Sequence, residues 1–175
     1  TPGDIEVTTP QLTIADNAQL SATVTATSTN TEGGGNITLN TANLNISGRL
    51  GIFAETNSEA DAGNLVIRPT DIAPDLTIAF SDDGFISAST TASGNGGSIS
   101  LTAPQAIDIS GNGRVAVTTS GTGQAGQINL TAPTIALRDG VTVSGSTSGS
   151  GQGGTIVLQA QDSITLENAA IEALT

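Results

Sequence analysis

Apolar and polar residues alternate along this chain in short runs, and the runs return at a near-constant interval. The motif Gly-x-(Ile/Leu)-x-(Leu/Ile/Val) begins at Gly3, Gly35, Gly63, Gly97, Gly126 and Gly154, with spacings of 32, 28, 34, 29 and 28 residues. Each copy places two apolar residues on one side: Ile5/Val7, Ile37/Leu39, Leu65/Ile67, Ile99/Leu101, Ile128/Leu130 and Ile156/Leu158. Period-two alternation predicts a strand with one buried face. A second alternating run follows in every repeat, with inward pairs Leu12/Ile14, Leu44/Ile46, Leu76/Ile78, Ile107/Ile109, Ile135/Leu137 and Ile164/Leu166. The corner between the two runs carries proline in places, as in Thr102-Ala103-Pro104. Proline lacks a ladder donor and suits a corner.

A turn comes next, at Asp16-Asn17, Ser47-Gly48, Asp83-Gly84, Asn112-Gly113, Asp139-Gly140 and Asn168-Ala169, residues that tolerate positive φ. A third strand then points Leu20, Ile52, Ile86, Val115, Val143 and Ile171 inward. Its outward face is expected to show Ser21, Thr23, Ser87, Ser89, Thr118, Ser144 and Ser146. A loop of Gly, Ser, Asn, Gln and acidic residues closes each repeat and absorbs the variation in length.

Self-similarity at this period means one supersecondary unit stacked on copies of itself. The sequence therefore predicts an all-β, right-handed parallel β-helix of six three-strand coils of 28–34 residues, starting near residues 3, 35, 63, 97, 126 and 154 and forming one domain over 1–175. The hand follows from the bias of β-crossover-β connections. Ile5, Ile37, Leu65, Ile99, Ile128 and Ile156 are expected to form a structural ladder running lengthwise through the coils. Both ends of the chain fall inside a repeat, so the segment reads as part of a longer solenoid or as a subunit that stacks on its neighbours.

Composition sharpens this picture. The only aromatics are Phe53, Phe80 and Phe85, and His, Cys, Lys, Met, Trp and Tyr are absent. The core must consist of many small aliphatic layers. Each buried side chain is worth about 1.5–3 kcal/mol, and conformational entropy offsets most of that. A single coil should not fold without its neighbours.

The net charge of −12 argues against a nucleic-acid partner, which needs a basic patch. No apolar run approaches the ~20 residues of a transmembrane helix. Abundant Thr, Asn and Gly with no Lys point to a secreted, extracellular or cell-surface protein.

Candidate chemistry is sparse. Asp82-Asp83 is the one adjacent carboxylate pair, and neighbouring Asp residues are common in turns. Serines are plentiful, but no imidazole exists to activate one. The chain reads as a non-enzyme with no cofactor. Two matches to Gly-x-Gly-x-x-Gly, at Gly121/Gly123/Gly126 and Gly149/Gly151/Gly154, precede strands; a dinucleotide fingerprint requires a helix there. Asp82, Asp83, Glu55, Glu59 and Asp61 are the oxygen donors that could serve calcium, against the simpler reading of solvated acidic loops. Taken coil by coil, Asp16, Arg49, Asp83, Arg114, Arg138, Asp139 and Glu167 suggest a ridge of alternating charge that helps fix register.

Segments such as Gly126-Gln127-Ile128-Asn129-Leu130-Thr131-Ala132-Pro133 and Leu137-Arg138-Asp139-Gly140-Val141-Thr142-Val143-Ser144 resemble the repeats of filamentous-haemagglutinin-like exoproteins, most of all the cyanobacterial versions secreted by the two-partner route. The resemblance extends over all 175 residues. It implies a right-handed parallel β-helix, export through an outer-membrane secretion partner, and a role in adhesion, aggregation or surface fibres. A self-assembling fibre subunit and a glycan-binding β-helix are the competing expectations. The charge ridge gives a first test: replacing Arg49→Glu and Arg114→Glu together should lower the melting temperature at low salt, and an unchanged melting curve removes the ridge.

Overall fold

The computed structural model describes residues 3–25, 33–70 and 76–175. The chain winds as a parallel β-solenoid of about five turns, with no helix among the described residues. The first passage holds β1 (Ile5–Ile14) and β2 (Leu20–Ser21), and the second β3 (Ile37–Ser47) and β4 (Gly51–Phe53). The third holds β5 (Leu65–Arg68), β6 (Thr77–Ser81) and β7 (Phe85–Ser87), and the fourth β8 (Ser98–Thr102), β9 (Ala106–Ile109) and β10 (Arg114–Ala116). The fifth holds β11 (Gln127–Arg138) and β12 (Thr142–Ser144), and the last β13 (Thr155–Glu167) and β14 (Ala170–Glu172). Six passages stacked in sequence leave five intervals between them, which is why six repeats make about five complete turns.

Every strand pairs with its counterpart one repeat away, and every pairing is parallel. Ile5, Ile37, Leu65, Ile99, Ile128 and Ile156 face one another in a single column. The inner four are fully buried, and the two end members are half-buried. A second column joins Leu20, Ile52, Ile86, Val115, Val143 and Ile171. The core is thus a set of aliphatic stacks, each side chain packed on a similar one above and below.

The coils differ from three separate strands in two respects. The first two runs merge: β1, β3, β11 and β13 cross the first corner unbroken. Thr9 helps by donating its hydroxyl to the Gln11 carbonyl (3.0 Å), and Thr41 does the same to Asn43 (3.0 Å). Between β11 and β13 the register shifts from Ala132 to Thr134, a bulge at Pro133 that absorbs one extra residue on the partner. In place of a third long strand there is a short β-sheet, followed by a column of single bridges joining Val24, Thr56, Thr90, Thr119 and Thr147.

One inward pair moves. Ile78 stands opposite Leu44 and Ile107, and Phe80 opposite Ile46 and Ile109, so Ile78/Phe80 takes the place expected for Leu76/Ile78. Leu76, Ile78 and Phe80 all have the same parity, and alternation cannot choose between two in-phase pairs. Stacking on the neighbouring coils chooses, and Leu76 is buried one step earlier.

The turn after the second run is a column of left-handed residues: Asp16 (φ 59°), Gly48 (106°), Asp82 (60°), Gly111 (76°), Asp139 (61°) and Asn168 (52°). In the third and fourth passages the left-handed residue falls earlier than the expected Asp83-Gly84 and Asn112-Gly113. Asp and Asn tolerate this conformation through local hydrogen bonding, and Gly has no Cβ to oppose it.

The repeat glycine has a separate cause. Gly63, Gly97 and Gly126 donate their N–H across the coil to Ala54 (2.9 Å), Ala88 (2.8 Å) and Val117 (3.0 Å) of the same turn. The coil is pinched there to backbone-on-backbone contact, and the rung beneath is equally close. A Cβ on Gly97 would lie 1.9 Å from the Gly63 carbonyl oxygen, whereas one on Gly3 would meet nothing within 4 Å. Gly97→Ala should therefore cost about 3 kcal/mol in urea unfolding, and Gly3→Ala should be neutral; equal effects would show that pinching does not select glycine.

Candidate functional site

Among the described residues, grooves run along the outside of the rod at three of its corners. The first follows the bend between the second sheet and the bridge column, and encloses about 490 Å³. The chain folds back so sharply here that hydroxyls two residues apart touch. Ser21 meets Thr23 at 2.9 Å, Ser87 meets Ser89 at 2.9 Å, and Ser144 meets Ser146 at 3.1 Å. This corrects the expectation of a continuous outward Ser/Thr face. Ser87 and Ser144 are buried at the bottom of the bend, where an ordinary strand would hold such neighbours too far apart to bond.

Beside these hydroxyls lie the aromatic residues of the second sheet. Phe85 packs edge-on against Phe53, with centroids 5.5 Å apart and planes at 84°. The Arg114 guanidinium carbon lies 5.7 Å from the centre of the Phe85 ring, within cation–π range.

The second groove, about 710 Å³, follows the glycine corner. Polar side chains line it as hydrogen-bonded ladders. Asp4 Oδ1 accepts the Asn36 N–H (2.7 Å), Asn36 Oδ1 accepts the Asn64 N–H (3.0 Å), and Asn64 Oδ1 accepts the Ser98 N–H (3.1 Å) and hydroxyl (2.6 Å). A parallel ladder runs from Asp61 through Asn95 to Gln124, at 2.7 and 2.9 Å. Each acceptor belongs to the lower rung and each backbone donor to the upper one. The third groove, about 480 Å³, runs over Ala103, Pro104, Ala132, Pro133 and Ala160 at the first corner.

The charge-ridge residues occupy several different settings. Asp16 and Asp139 belong to the left-handed column, and Asp83 follows its member Asp82. Arg49 follows Gly48, and its backbone N–H donates to the Asp16 carbonyl at 3.1 Å. Arg114 stands on β10 over Phe85, away from the turn. Arg138, opposite Glu167, reaches down one rung to Asp108 at 2.5 Å, the ion pair formed among the described residues. The hydrogen bond it donates to Asp108 and then that carboxylate's charge, with smaller help from Asp139 and Glu167, raise the guanidinium pKa. Asp108 was not among the ridge residues. Its outward position between Ile107 and Ile109, one repeat below Ala136, was the available signal.

The calcium candidates do not converge: among the described residues no three acidic side chains meet in a way that could hold a metal ion. Glu55 lies at the bend cleft and Asp61 at the glycine corner, while Glu59, Asp82 and Asp83 are exposed. The glycines of the two Gly-x-Gly-x-x-Gly matches are stacking residues, since a Cβ on Gly123 would lie 2.0 Å from the Gly94 carbonyl oxygen. Sequence reasoning missed the buried threonine column. Thr56, Thr90, Thr119 and Thr147 each accept, through Oγ1, the N–H two residues ahead, at 3.1–3.3 Å. Recurrence of Thr at the repeat spacing was its only trace in the sequence.

Compared with protein-family models, with curated proteins and with solved structures, the chain matches none. Among the described residues no helix is long and apolar enough to cross a membrane. The amide ladder yields a direct expectation. Asn64→Ala removes two hydrogen bonds to Ser98 and should lower stability by about 1–2 kcal/mol in chemical denaturation; an unchanged midpoint would mean that the ladder does not hold the rungs.

Proposed function

We propose that this chain is a non-catalytic structural and adhesive stalk of a secreted bacterial surface exoprotein of the filamentous-haemagglutinin-like type, exported through an outer-membrane partner. The observation that carries the reading is the parallel register, one rung per repeat and shifted only at the Pro133 bulge, which makes a rod from a sequence with no His, Lys or Cys. Rods of this kind separate or display what lies at their ends. The repeat resemblance supports the family and the route of export. The polar exterior and acidic charge suit an extracellular setting.

Antibodies raised against the rod should label intact source cells from outside. Labelling that requires permeabilised cells overturns the proposal.

A second reading, a fibre subunit that stacks end to end, draws on one feature. The last described rung exposes Ile164, Leu166 and Ile171, whose counterparts Ile135, Leu137 and Val143 one rung below are buried. Electron microscopy of the isolated chain separates the two readings. The stalk gives discrete rods about 25–30 Å long, from six rungs at strand spacing. The fibre gives long filaments that Leu166→Asp abolishes.

A further inference from the structure

Asparagine followed by glycine occurs twice in the chain, at Asn95-Gly96 and Asn112-Gly113. Both asparagines are exposed, yet the fold holds them differently. Asn95 belongs to the side-chain ladder of the glycine corner. Its N–H donates to Asp61 (2.7 Å), its Oδ1 accepts the Gln124 N–H (2.9 Å), and the Gly96 N–H donates to the Gln124 carbonyl (2.9 Å). Asn112 lies in the left-handed turn column, directly after Gly111 (φ 76°). In the first passage the equivalent turn is closed by the Ala18 N–H on the Ala15 carbonyl (3.0 Å). The corresponding bond from Gly113 to Ser110 is not formed, and among the described residues neither the Asn112 side chain nor the Gly113 N–H makes a hydrogen bond. The Asn112 amide reaches toward the next rung instead. Its Oδ1 lies 2.8 Å from where a Cβ on Gly140 would stand, so glycine at that place leaves the side chain room to turn.

We propose that Asn112-Gly113 is a self-modification site, at which the asparagine is converted to isoaspartate and aspartate with water as the co-reactant. Solvent hydroxide removes the Gly113 amide proton, and the nitrogen attacks Asn112 Cγ. The new N–Cγ bond closes a succinimide ring as the Cγ–Nδ2 bond breaks, and the side-chain nitrogen leaves as ammonia. Water then opens the ring at either carbonyl. The attack needs a backbone nitrogen with no other bond to hold it and a side chain able to swing back onto it. Asn112-Gly113 has both, Asn95-Gly96 has neither, and glycine brings no side chain to block the approach. The product bears on the stack. Asn112 stands between Asp83 on the rung below and Gly140, beside Asp139, on the rung above. A carboxylate at this place puts like charges on three successive rungs. Isoaspartate also adds a backbone atom to a turn that joins two strands held in register. The reaction uses only this chain and water, and is independent of the adhesive reading.

The test is to hold the intact chain in mildly alkaline buffer and to follow both sites by peptide mapping, with fragmentation that separates residue 95 from residue 112 and identifies isoaspartate. In the folded chain Asn112 should gain the mass of an amide turned acid at least about tenfold faster than Asn95, which must first open its hydrogen bonds. In strong urea the two should convert at similar rates, because only the shared Asn-Gly sequence then counts. Asn112→Gln should stop the mass gain in the folded chain, since a longer side chain closes the ring far more slowly, and should keep the parent melting temperature. Asn112→Asp, which carries the product's charge, should melt below the parent at low salt and nearer to it at high salt; melting with the parent at low salt removes the effect on the stack. Equal rates at the two sites in the folded chain, faster conversion of Asn95, or conversion in urea with none at Asn112 in the fold overturns the proposal.

Discussion

Parallel stacking in fixed register is the constraint on which the molecule depends. Strands one repeat apart must offer each other N–H and C=O groups at the same height around the whole coil, and a slip of one residue would turn every inward side chain outward. The aliphatic columns, the left-handed turn residues and the threonine bridges are consequences of that demand. Each position is chosen less for its own coil than for fitting the equivalent residue above and below.

The same constraint explains a core with so little aromatic content. A large ring fits a column only where its neighbours leave room. Phe80 is accommodated between Ile46 and Ile109. Phe85 points outward above Gly51, and Phe53 lies against its edge. Elsewhere the pinched corner reduces the interior to backbone contact, and the glycine column follows from steric closeness. The polar ladders complete the closure by giving backbone N–H groups of one rung a side-chain acceptor on the rung below.

Most of the fold was legible in the sequence because its two signals, period-two alternation and a repeat of 28–34 residues, are properties of single positions. Where position alone was ambiguous, the reading shifted. Leu76, Ile78 and Phe80 share a parity, so only packing between coils could place Ile78/Phe80 in register. The surface was less legible. Ser87 and Ser144 look outward by alternation, but a sharp bend buries them, and bends depend on the whole coil. Arg114 groups with the charge ridge by its place in the repeat, yet it begins a strand and covers Phe85. Asp108 became an ion-pair partner through a diagonal contact between rungs that no linear spacing displays.

The direction of the hydrogen bonds has a mechanical consequence. Bonds between rungs run along the rod, so tension applied from end to end loads them a few at a time, as in a zipper, and the outermost rung detaches before its neighbours are strained. Each rung occupies about 4.8 Å of the rod, yet at 28 residues or more its released chain extends to roughly 90 Å or beyond. A pulled end would lengthen some twentyfold per rung lost, and the remaining rungs would keep their shape while the slack absorbed the load.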